Sequence, residues 1–77
     1  MAIETAKLDA LQSSYKTAVE EWVAAIRREE SLCSVTHSET RLDAWEQAGF
    51  AEEAAREKAK DAKAAYESGL REAIFNF

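Results

Sequence analysis

Few residues in this chain could do chemistry. There is one cysteine, Cys33, and one histidine, His37. They stand four apart, a spacing that would place two metal ligands on one face of a continuous helix, with a second copy supplying two more. The residues between them argue against continuity. Ser34, Val35 and Thr36 are poor helix formers, and Ser and Thr cap helix ends. The plainer reading is a thiol that ends an apolar stripe, followed by a polar histidine in a turn. No metal site is therefore assigned, with Cys33 and His37 as the two candidates for one, and no cofactor is expected.

The carboxylates give a second possibility. Glu29 and Glu52 fall in apolar columns, an unusual place for an acid. Four-helix proteins that hold two metal ions use inward glutamates together with Glu-x-x-His pairs. Here the residue three before His37 is Ser34, so that pattern is missing. The expected role is a carboxylate at the rim of a helix contact, with Glu52 one turn from Arg56. A glycine-rich phosphate loop and a nucleophile–base–orienter set are also missing. No residue is assigned as catalytic, and the chain is read as non-enzymatic.

The elements that must position these residues are helices. Leu8, Tyr15, Trp22 and Glu29 recur every seven residues, and so do Leu11, Ala18, Ala25 and Leu32. Val19, Ile26 and Cys33 widen the stripe. Such a seam, kept for more than three heptads, predicts an amphipathic, coiled-coil-like helix over about 3–33. Beyond Cys33 the same columns would bury Thr36, Glu39, Thr40 and Asp43, so the seam ends there. The turn is expected at about 34–38. Thr36 with Glu39 reads as a capping box, and Ser38 is a competing cap.

A second helix is expected over about 39–75. Trp45, Glu52, Ala59, Tyr66 and Ala73 form one column, and Ala48, Ala55, Ala62 and Gly69 form another three residues on. The second column is small throughout, which lets a neighbouring backbone come close. Gly49 costs about 1 kcal/mol relative to alanine within a helix, but no proline or polar cluster follows it, so the helix is expected to continue. The fold class expected is all-α: an antiparallel two-helix hairpin spanning 1–77. A symmetric turn would set Tyr15 near Ala59 and Trp22 near Phe50.

Composition narrows the classes further. The 77 residues include no proline and two glycines, which leaves β-sheet turns unsupplied. Hydrophobic residues make up 47%, yet sixteen of them are alanine. Ordering such a chain costs on the order of 100 kcal/mol, which one seam of large side chains barely offsets. Small scaffolds commonly answer this by oligomerising, so the hairpin is expected to dimerise into a four-helix bundle. Leu8, Leu11, Tyr15, Val19, Trp22, Val23, Ile26, Trp45, Ala55, Ala59, Ala62, Tyr66, Leu70 and Ile74 are the expected core and interface. Ile74 and Phe77 are expected to close the open end against Ile3 and Leu8. Phe75 and Phe77 could alternatively hook a partner.

The net charge is −5, and basic residues are interleaved with acids. That pattern fits a solvated helix face, so neither nucleic acid nor an anionic membrane is expected as a partner. A lone cysteine and no apolar span or leader point to the cytoplasm. The function expected is a self-associating protein–protein interaction or structural module. The alternatives are a small acidic, antitoxin-like inhibitor that blocks a basic surface, and a metal-binding bundle. Another protein could take the place of the second copy.

Overall fold

A computed structural model describes residues 4–33 and 38–75. Two α-helices account for nearly all of them: α1, Thr5–Cys33, and α2, Glu39–Phe75. No strand occurs among the described residues. The helices pack side by side and antiparallel into a rod with principal extents of 57 × 16 × 12 Å. Among the described residues no helix is long and apolar enough to cross a membrane.

The heptad columns explain the contact line. On α1, Leu8, Leu11, Tyr15, Trp22, Ala25, Glu29 and Leu32 are half-buried and Ala18 is buried. On α2, Glu52, Ala55, Ala62, Tyr66 and Ala73 are half-buried, while Ala48, Ala59 and Gly69 are buried. The buried hydrophobic residues are three alanines, Ala18, Ala48 and Ala59, at 3–5% exposure. Small side chains at these positions let the two backbones approach. The same choice leaves no large side chain fully buried among the described residues.

Helix ends follow local chemistry. Ser38 caps α2: its hydroxyl accepts from the Arg41 amide at 3.2 Å, and its carbonyl accepts from the Leu42 amide at 2.9 Å. The third helical position is thus Arg41, with Glu39 at the first, and Thr36 of the expected capping box lies outside the described residues. Glu39 in the first turn favours the helix dipole. Glu4 opens α1, its carbonyl accepting from the amides of Lys7 and Leu8. α1 therefore starts two residues later than the sequence pattern suggests. Ile3, residues 34–37, where the sequence places the turn, and Phe77 lie outside the described residues. α2 runs through Gly49 without interruption.

Cross-helix pairs fix the register. The Trp22 indole donates to Glu52, Lys58 bridges Glu21, and the Tyr15 ring lies beside Tyr66. These pairs slide α2 by roughly one to two turns from the register of a symmetric turn. Tyr15 meets an aromatic ring in place of Ala59, and Trp22 meets a carboxylate in place of Phe50. Gly49 is level with Glu29. Trp45, one turn before Gly49, is then level with the end of α1, and is 43% exposed.

Candidate functional site

The seam concentrates the polar chemistry at its middle. Trp22 Nε1 donates to Glu52 Oε2 at 2.8 Å, and the pair is partly buried. Both residues occupy the same kind of heptad position on facing helices, which brings donor and acceptor together across the contact. The inward carboxylate is held by an indole, not by Arg56. It acts as an acceptor that satisfies a half-buried N–H, the usual requirement for a tryptophan in a small core. Every buried side-chain polar atom among the described residues has a partner.

Glu29 has a different reason to be inside. A Cβ added at Gly49 would stand 3.2 Å from Glu29 Oε2. The glycine leaves a notch on α2, and the glutamate side chain lies over it. The two inward acids are thus accommodated separately, one by a donor and one by a gap. Among the described residues no group of three His, Cys, Asp or Glu side chains is placed to hold a metal ion. Cys33 is an exposed free thiol at the last position of α1. His37 lies outside the described residues, so the Cys33–His37 pairing does too.

The two flanks of the seam differ. One carries the Lys58–Glu21 bridge, 2.9 Å long and exposed. On α1 the other carries Val19, half-buried, with Val23 and Ile26 at 40% and 39% exposure. An open groove runs along this second flank, lined by Asp9, Gln12, Tyr15, Lys16, Val19 and Tyr66 among others. The Tyr15 and Tyr66 rings that line it have centroids 6.4 Å apart and planes inclined by 32°. That spacing falls in the range of favourable aromatic pairs.

Apolar side chains also stay outside. Leu42, Trp45, Phe50, Ile74 and Phe75 are exposed. Ile74 is 69% exposed on the single hairpin, and Ile3 and Phe77, expected to close the open end with it, lie outside the described residues. Leu70 is half-buried. Leu42 and Phe50 are exposed apolar residues absent from the core expected on sequence grounds; their signal is an apolar type outside both columns. No family model, curated protein or solved structure matches the chain.

Proposed function

We propose that this protein is a non-enzymatic interaction module, a helical hairpin that self-associates into a four-helix bundle. One observation carries the reading. Seven large apolar side chains are exposed on a single hairpin, while the buried hydrophobic residues are three alanines. An isolated pair of helices has one contact line and must leave the rest of each apolar stripe wet. A second hairpin offers the missing surface with the fewest sequence requirements, because one patch serves both sides of a two-fold contact.

Among the described residues, the groups that chemistry would need do not converge. The inward acids are occupied by Trp22 and by the Gly49 notch, and the thiol sits at a helix end. A cytoplasmic address fits an exposed free thiol. Thermal unfolding across a hundredfold range of protein concentration tests this function. An associating hairpin melts at a midpoint that climbs with concentration. A midpoint independent of concentration, with full helicity, would remove the reading.

A further inference from the structure

We propose that the second copy docks antiparallel on the Val19–Val23–Ile26 flank, with the two-fold axis level with Val23. This assignment rests on the self-association reading and adds which face is used and in which direction. Its first support is position. Val19, Val23 and Ile26 follow the i, i+4, i+7 spacing of one helix face, on the flank away from the Glu21–Lys58 bridge. Val23 and Ile26 are exposed there.

Its second support is charge. Reading along the exposed face of α1, Lys16 and Glu20 come before Val23, and Arg27 and Glu30 come after it. All four are exposed. An antiparallel copy centred on Val23 sets Lys16 opposite Glu30 of the second copy, and Glu20 opposite its Arg27. Each pair occurs twice by symmetry, and every one joins opposite signs. A parallel copy in the same register would set each charge on its own kind.

The third support comes from the other helix. The Trp22–Glu52 and Glu21–Lys58 pairs put the level of Val23 at about the middle of the 52–58 stretch. On either side of that level lie Glu53 and Arg56, and further out Glu46 and Lys63. The same axis therefore brings Glu53 to Arg56 of the second copy and Glu46 to its Lys63. Lys63 also reaches Glu67 within its own chain, at 3.9 Å. Two helices of unrelated sequence yield one axis, and the charge pattern on each is complementary to itself only in the antiparallel sense.

The test uses the full chain. Val23→Cys in a Cys33→Ser background places two thiols at the axis, within reach of a disulfide. Mild oxidation is expected to give a covalent dimer from this variant and none from the wild-type thiol at Cys33, which lies far from the axis. Because Val23→Cys could weaken association, charge exchange supplies a second arm. Arg27→Glu is expected to weaken dimerisation by roughly tenfold, and E20R/R27E to restore it. A wild-type chain that stays monomeric at all concentrations overturns self-association itself. A wild-type dimer that links through Cys33, or whose R27E loss is not repaired by the exchange, overturns only the proposed face and direction.

Discussion

Trp22 and Glu52 show what the residue scale decides. A carboxylate in an apolar column is costly unless a donor meets it. The indole N–H meets it at 2.8 Å, so each group removes the other's penalty. Glu52→Ala leaves the indole without its acceptor and should cost about 1–3 kcal/mol. Glu52→Gln keeps an acceptor oxygen and should cost less. Urea unfolding followed by Trp fluorescence measures both, and equal losses would show that the hydrogen bond is not the source. Gly49→Ala should act in the opposite direction. It gains up to about 1 kcal/mol of helix propensity, since the atom in its way is the far end of the flexible Glu29 side chain. A destabilised Gly49→Ala would mean that Glu29 is fixed over the notch. Both acids are legible as inward residues, because the columns are visible in the sequence. Their partners are not, because a neighbour across the seam depends on register, while Arg56 is visible one turn away.

At the scale of the element, the heptad columns are legible almost throughout. From Leu8 to Leu32 every column member of α1 is buried or half-buried, and on α2 the pattern holds from Ala48 to Ala73. It fails at Trp45, where the column continues but α1 has ended. A column records which face a helix would bury, not whether a neighbour is there. The register itself is not legible, since a symmetric turn ignores how far each helix extends. Capping is half legible: Ser38 is in view, yet the Thr36–Glu39 motif matches the capping-box pattern more fully. Ser38→Ala should lower stability by about 1 kcal/mol by leaving the Arg41 amide without its acceptor. A Thr36→Ala change should do less, and thermal melts of the two variants compare them directly. Overpacking tests the close approach of the helices. Ala59, 3% exposed, has no room for a longer side chain, so Ala59→Leu should cost about 1–3 kcal/mol. An unchanged melt would mean that the backbones are not close there.

For the whole molecule, a rod 57 Å long and 12–16 Å across has much surface and little inside. Apolar burial is the main driving force of folding, and here it is spread thinly along one seam. Surface ion pairs do not make up the difference: Lys58–Glu21 and the i, i+3 and i, i+4 pairs of α2 are exposed, where each is worth well under 1 kcal/mol. The all-α hairpin is legible because periodicity, turn residues and the absence of proline agree. The proposed assembly follows from the mismatch between bulky apolar residues and the single contact line, and the exposed Val23, Ile26, Trp45 and Phe50 express that mismatch in three dimensions. Sedimentation equilibrium at micromolar concentration tests the central claim most directly. Two associated hairpins give a mass near twice the 8.6 kDa of one chain, whereas a stably folded species at the mass of one chain rules self-association out.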